Sequence, residues 1–245
     1  MNCAIVSLAF SLIIPAYNEA RRLPPYLADV RTHLTTTFPG AHEVIVVDDG
    51  STDGTRGHVA GMAEAWPALR LVAHSQNQGK GAAVRTGMLA ARGEIRLFAD
   101  ADGATPIREE TRLRAAIEAG ADVAVASRRV QAPDVARQRA RFRGLVGWAF
   151  TTFAQCLLPT GVRDTQCGFK MFRSEAAERL FAMSQESGYV FDLELLVLAR
   201  QLGYRVAEIP VNWTEMPGSK LDMAREWRKI LAGMWRIRRR LAAAK

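Results

Sequence analysis

Leu12-Ile13-Ile14-Pro15-Ala16-Tyr17-Asn18-Glu19 and, thirty residues on, Val44-Ile45-Val46-Val47-Asp48-Asp49-Gly50-Ser51 decide how this chain is read. In each, a short apolar run passes directly into polar and turn-forming residues. That is the pattern of a buried strand ending in an exposed loop.

The pattern recurs outward from these two stretches, at Arg70-Leu71-Val72-Ala73, Ile95-Arg96-Leu97-Phe98 and Val123-Ala124-Val125-Ala126. Between the runs, Leu23, Leu27, Val30 and Leu34, then Val59, Met62, Ala63 and Trp66, then Val84, Met88 and Ala91 recur at helical spacing. Pro24 and Pro106 suit first helical turns, and Asp53 and Ser174 suit caps of the helices that follow. Strands alternating with helices predict an α/β fold, a Rossmann-like and mainly parallel sheet flanked by helices, with five such units filling the chain to about Ser127.

Beyond Ser127 the regularity breaks. Residues 128–143 are strongly basic and residues 144–158 uncharged. Residues 167–173 read as a strand followed by a helix from Ser174, residues 191–202 as a helix stopped by Gly203, and residues 204–213 as a strand. Residues 221–245 read as a basic amphipathic C-terminal helix. The expected organisation is one unit over 1–221, with a donor-binding half over about 8–127 and an acceptor half over about 128–221, and a helical segment at 222–245.

In an open α/β sheet, ligands bind at the carboxyl ends of the strands. The polar clusters fall there: residues 15–19 after the first strand, Asp48 and Asp49 after the second, Asp100-Ala101-Asp102 after the fourth. Carboxylates at several strand ends, with four scattered histidines, favour an oxygen-loving ion, Mg²⁺ or Mn²⁺, over zinc. Asp100 and Asp102 flank one residue, so in an extended segment both side chains point the same way and can share a metal bridging two phosphates. A capped turn before Pro106 is the alternative. Asp48 and Asp49 have their own alternative, because Asp-Gly-Ser-Thr is a common turn composition.

The formal charge of +8 predicts an anionic partner: nucleic acid, an acidic membrane surface or a phosphate-bearing substrate. Three cysteines without close pairing fit a reducing compartment, hence the cytosolic side. The apolar start lacks a basic n-region and a cleavage site, so no signal peptide is expected. Neither it nor residues 144–158 reach the roughly 20 apolar residues of a membrane-spanning helix.

Taken together, Ile14-Pro15-Ala16-Tyr17-Asn18-Glu19, residues 46–53 and the Asp100-Ala101-Asp102 triplet resemble glycosyltransferase family 2, inverting enzymes of the GT-A fold. Asn77-Gln78-Gly79-Lys80-Gly81, residues 164–170 and Gly218-Ser219-Lys220-Leu221 resemble its branch of dolichyl-phosphate β-glucosyltransferases and polyprenyl-phosphate glycosyltransferases, with coverage from about Ser11 to Leu221. The resemblance implies that Pro15, Tyr17 and Glu19 line the nucleotide pocket and that Asp48 or Asp49 holds base or ribose. It implies that Asp100, Ala101 and Asp102 handle metal and diphosphate, that Lys80 and Lys220 approach the diphosphate, and that Asp164 faces the acceptor as a candidate base. That base is optional for a phosphate monoester, whose second pKa is about 6.

Arg128, Arg137, Arg139 and Arg143 precede the uncharged 144–158 segment, a pairing suited to a phosphate head group beside an apolar surface. That segment, with Trp148, Phe150 and Phe153, suits an interfacial helix, a core helix or a dimer contact. In the C-terminal helix, Trp227, Ile230, Leu231, Met234, Ile237 and Leu241 recur among arginines and lysines. It either lies on an anionic membrane or covers the domain. The expectation is a peripheral enzyme on the cytosolic membrane face that moves a hexose, first of all glucose from UDP-glucose, to a dolichyl or other polyprenyl phosphate. A homo-oligomer is compatible with this, and nucleic acid is not expected. The rivals are GDP-mannose or UDP-N-acetylglucosamine as donor, a glycan hydroxyl as acceptor, or a nucleotide-sugar-binding scaffold without turnover.

Overall fold

The computed structural model describes residues 8–138, 157–216 and 223–243. Arg139, Arg143, Lys220 and the aromatic residues Trp148, Phe150 and Phe153 lie outside the described residues.

The first half alternates β1 (Phe10–Ala16), α1 (Leu23–Thr37), β2 (His42–Asp48), α2 (Thr55–Glu64), β3 (Leu69–Ala73), α3 (Lys80–Ala90), β4 (Ile95–Ala99), α4 (Glu110–Glu118) and β5 (Val123–Ser127). After β6 (Arg137–Gln138) come β7 (Phe169–Arg173), α5 (Ser174–Met183), α6 (Phe191–Gln201), β8 (Val206–Pro210), β9 (Trp213–Thr214) and α7 (Met223–Ala243). The main sheet runs β3-β2-β1-β4-β7-β5-β8. Its pairs are parallel except that β7 enters antiparallel between β4 and β5.

Alternation along the strands sorts the core onto two faces, as a two-residue period requires. Leu12, Ile14, Val44 and Val46 join the inner sides of α1, α2 and α4. Ile13, Ile45, Val47 and Phe98 join α3, α5 and α6. A third cluster sits under α7, where Ile230, Met234 and Ile237 meet Val190, Leu193 and Val197. The C-terminal helix therefore covers the domain with one face. Its other face leaves Trp227, Leu231 and Trp235 exposed.

Several local expectations are corrected. α2 ends at Glu64, and Trp66, read as its last apolar position, is buried beyond the helix. The α2 cap position is Gly54 rather than Asp53, whose Oδ1 instead accepts the Thr55 N–H. Ser174 is the first residue of α5 and caps nothing. The predicted strand over 204–213 divides, because Pro210 brings no N–H to the ladder and ends β8. Trp213 and Thr214 pair instead with Arg137 and Gln138 in a separate two-stranded sheet.

Candidate active site

The loops after β1 and β2 are stitched together. Asn18 takes positive φ (56°), which asparagine tolerates better than most residues. From there its N–H donates to Ser51 Oγ at 2.9 Å, and its own Oδ1 accepts the Thr52 N–H at 2.8 Å. The Glu19 N–H donates to Thr55 Oγ1 at 2.7 Å, and the Glu19 carboxylate pairs with Arg22 at 2.5 Å. Pro15 lies in β1, and Tyr17, just past the strand, is exposed.

Asp48 and Asp49 are both buried. Asp48 accepts the Ser51 N–H and pairs with Arg56 at 3.0 Å. Asp49 accepts the N–H groups of Gln78 and Gly79 at 2.9 and 2.8 Å and hydrogen-bonds the His74 ring at 2.7 Å. Gly50 is required between these loops: its φ is +72°, and a Cβ there would lie 2.5 Å from the Gln76 carbonyl carbon. Asp49 thus fastens the β2 end to the loop that precedes Lys80, while Asp48 ties it to Ser51 and to Arg56 at the start of α2.

The Asp100-Ala101-Asp102 triplet is a turn, not the extended segment expected: the Gly103 N–H points to Asp100 O, and Gly103 has φ +67°. The Ala101 methyl belongs to the core. The two carboxylates still act on one another. Burial, then the charge of Asp100, pushes the Asp102 carboxyl above its ordinary value. Asp102 Oδ1 accepts the Ala104 N–H, and Arg22 Nη1 stands 3.8 Å from Oδ2.

Asp100 Oδ1 pairs with Lys80 Nζ at 2.5 Å. Burial works against the Lys80 ammonium, but the charges of Asp100, Asp192 and Asp102 outweigh it and raise its pKa above the usual lysine value. The glycines beside Lys80 serve packing: a Cβ on Gly79 would overlap Ser187 O, and one on Gly81 would lie 2.5 Å from Glu186 O. Gly168 is fixed similarly, since a Cβ there would occupy the space of the Asp100 carboxylate, while Gly168 O accepts the Asp100 N–H at 2.9 Å.

Asp164 is buried and pairs with Arg128 through both oxygens, at 2.8 and 2.9 Å, while also accepting the Arg128 N–H. Burial opposes its charge, but the guanidinium wins and holds the carboxyl at about 2. Arg128 in turn lies over the Trp213 ring, 5.4 Å from its centre. Arg137 pairs through its backbone with Trp213 and donates to Val130 O. Trp213 thus brings two of the predicted acceptor arginines to one place, with the guanidinium of each already partnered.

Two charged residues of this region were given no role of their own in the sequence reading, although Lys170 ends the 164–170 motif. Lys170, fully buried on β7, donates to Asp192 Oδ1 at 2.5 Å and to Cys167 O at 2.7 Å. Asp192 sits in the first turn of α6, where an acidic residue reads as an ordinary helix start. Its other signal is burial, which raises its pKa and which no local pattern displays.

Among the described residues no group of three His, Cys, Asp or Glu is arranged to hold a metal. Asp100 and Asp102 nonetheless fit a hard cation, because Mg²⁺ characteristically takes one or two carboxylates and completes its shell with water and phosphate oxygens. Their present counter-charges are the side chains of Lys80 and Arg22.

Comparison with known proteins bears on the family and the fold. The model of the family described as Glycosyl transferase family 2 matches residues 11–181. The chain is 37% identical to a dolichyl-phosphate beta-glucosyltransferase of Dictyostelium discoideum, over 96% of this chain and 78% of that protein. It is 35% identical to the Homo sapiens protein of the same name, over 93% and 77%. Among solved structures, mannosyl-3-phosphoglycerate synthase from Rubrobacter xylanophilus superposes with a TM-score of 0.73 at 18% identity, over 96% of this chain and 75% of that one. Glucosyl-3-phosphoglycerate synthase from Mycobacterium tuberculosis, in complex with Mn²⁺, UDP and phosphoglyceric acid, gives 0.70 at 20% identity, over 94% and 78%.

Proposed function

From its place in glycosyltransferase family 2, to which this chain belongs, we propose that it transfers glucose from UDP-glucose to dolichyl or another polyprenyl phosphate with inversion at the anomeric carbon. The observation that carries the donor side is the Lys80–Asp100–Asp102 constellation at the end of β4. Asp100 and Asp102 would hold Mg²⁺ or Mn²⁺, which would supply charge stabilisation for a departing diphosphate. Lys80 exchanges Asp100 for a diphosphate oxygen, and Arg22 adds a second cation beside Asp102. Tyr17, exposed at the end of β1, offers a face for the base, and Lys220 supplies a further positive charge for the diphosphate.

Asp164 bears on the acceptor. A carboxyl held at about 2 is a weak proton acceptor at neutral pH. A hydroxyl acceptor needs such a base; a phosphate monoester, already deprotonated, needs only alignment behind the anomeric carbon. Asp164 accordingly orders Arg128 beside Trp213, and the charges of Arg128, Arg137, Arg139 and Arg143 serve the lipid phosphate.

Among the described residues no helix is long and apolar enough to cross a membrane. We assign the protein to the cytosolic membrane face through the outer side of α7, where Trp227, Leu231 and Trp235 are exposed among Arg228, Lys229, Arg238 and Arg239. Tryptophan beside cationic residues suits the headgroup region of an anionic leaflet. Within the chain, residues 8–127 serve the donor and 128–221 the acceptor.

The test is a transfer assay with UDP-glucose, GDP-mannose and UDP-N-acetylglucosamine against dolichyl phosphate in anionic vesicles, with Mg²⁺ or Mn²⁺ and analysis of the product lipid. Glucosyl phospholipid from UDP-glucose is the expected product. Metal-dependent donor hydrolysis without any lipid product would overturn the acceptor assignment.

A further inference from the structure

The segment between α5 and α6 touches the Lys80 loop on one side and α7 on the other. Ser187 O accepts the N–H groups of Gly81 and Ala82 at 2.8 and 3.3 Å, and so caps the first turn of α3, which has no side-chain cap of its own. The close packing of Gly79 and Gly81 against Ser187 O and Glu186 O leaves that turn no slack.

On the opposite side, the buried Glu186 carboxylate accepts two hydrogen bonds from Arg236, at 2.7 and 3.0 Å, and one from Arg240 at 2.8 Å. α7 can come this close because residue 233 is glycine: a Cβ there would lie 2.5 Å from Val190 and 3.1 Å from Glu186. Arg240 also reaches Glu194, whose other oxygen accepts the Gln185 and Glu186 N–H groups. Beside this clamp lies a cavity of about 520 Å³, lined by the same segment and by Arg228, Lys229 and Arg236.

We propose that Glu186 is a positioning residue for Lys80. Gripped by Arg236 and Arg240, it holds the Ser187 carbonyl that fixes the start of α3, and with it the approach of the Lys80 ammonium to Asp100. The C-terminal helix and the donor site are thereby one mechanical unit. The catalytic consequence rests on the role proposed above for Lys80; the clamp itself does not.

The test is the rate of Lys80 acylation by an amine-reactive acetyl ester on the full chain, read by peptide mass spectrometry. Glu186→Gln loses its charge toward both arginines, and Lys80 labelling rises about tenfold, the factor that one charge-assisted hydrogen bond implies. Arg236→Gln, a change at a side chain more than half exposed, shifts the rate in the same direction and guards against a folding failure at position 186. Ile237→Ala, which removes apolar packing under the same helix but leaves both arginines on Glu186, keeps Lys80 at the wild-type rate at a temperature where the variant remains folded. Wild-type labelling in both clamp variants, or equal acceleration in Ile237→Ala, overturns the proposal. Faster labelling with an unchanged KM for the nucleotide sugar would keep Glu186 in its role and remove Lys80 from the donor site.

Discussion

Asp49 at the end of β2 and Asp100 at the end of β4 look alike in sequence, each an aspartate following an apolar strand. Asp49 is enclosed by two backbone N–H groups and an imidazole. Asp100 donates its own backbone N–H to Gly168 O, but its carboxylate faces the ammonium of a lysine side chain. Backbone donors cannot leave without unfolding a loop; a lysine can rotate away. On this ground we propose that the β2 end serves as scaffold and that the β4 end is where charge is exchanged with a ligand.

The largest effect that tests this contrast is catalytic. Asp100→Asn and Asp102→Asn each should lower transfer about a thousandfold, the loss expected when charge stabilisation at the leaving group is removed. Their urea unfolding midpoints should stay near wild type. Gly168→Ala should follow, at about a hundredfold in kcat, because its Cβ displaces the Asp100 carboxylate by a distance that matters for alignment. Steady-state kinetics with saturating acceptor reads both.

Asp49→Asn inverts the pattern. Its amide would turn a donor toward one of the N–H groups of Gln78 and Gly79, costing about 2 kcal/mol of stability in urea unfolding. The narrowest effect is confined to acid. The Asp164 carboxyl titrates at about 2 in the folded chain, against about 4 when unfolded. Its pairing with Arg128 therefore contributes fully above pH ~4, and that contribution is lost as the pH falls toward 2. Asp164→Asn should flatten the stability profile between those limits, as unfolding midpoints taken across the range will show.

What the sequence made legible follows from what is local. Apolar runs with turn signals located every strand of the first half, since burial and period are properties of short segments. The antiparallel entry of β7 between β4 and β5 was not legible, because direction depends on the path of the preceding residues rather than on Phe169–Arg173 itself. Helix length failed at Trp66, where burial came from the loop rather than from the helix.

The same division holds for the site. Asp100 and Asp102 were singled out because they follow an apolar strand, and Lys80 because residues 77–81 resemble the family. The difference between Asp49 and Asp100 was invisible, because the partners of Asp49 are N–H groups 29 and 30 residues away. Asp192 and Glu186 were missed for a related reason: one reads as a helix start and the other as a solvated loop glutamate, and only tertiary packing buries them.

The most direct measurement is calorimetric titration of UDP into the wild-type chain with and without Mn²⁺, repeated for Asp102→Asn and Asp49→Asn at a temperature where all remain folded. Wild type should bind UDP tightly only with the metal, Asp102→Asn should lose that dependence together with most of its affinity, and folded Asp49→Asn should keep both. Metal-dependent affinity surviving in Asp102→Asn and vanishing in folded Asp49→Asn would place the exchangeable site at the end of β2 and contradict the account.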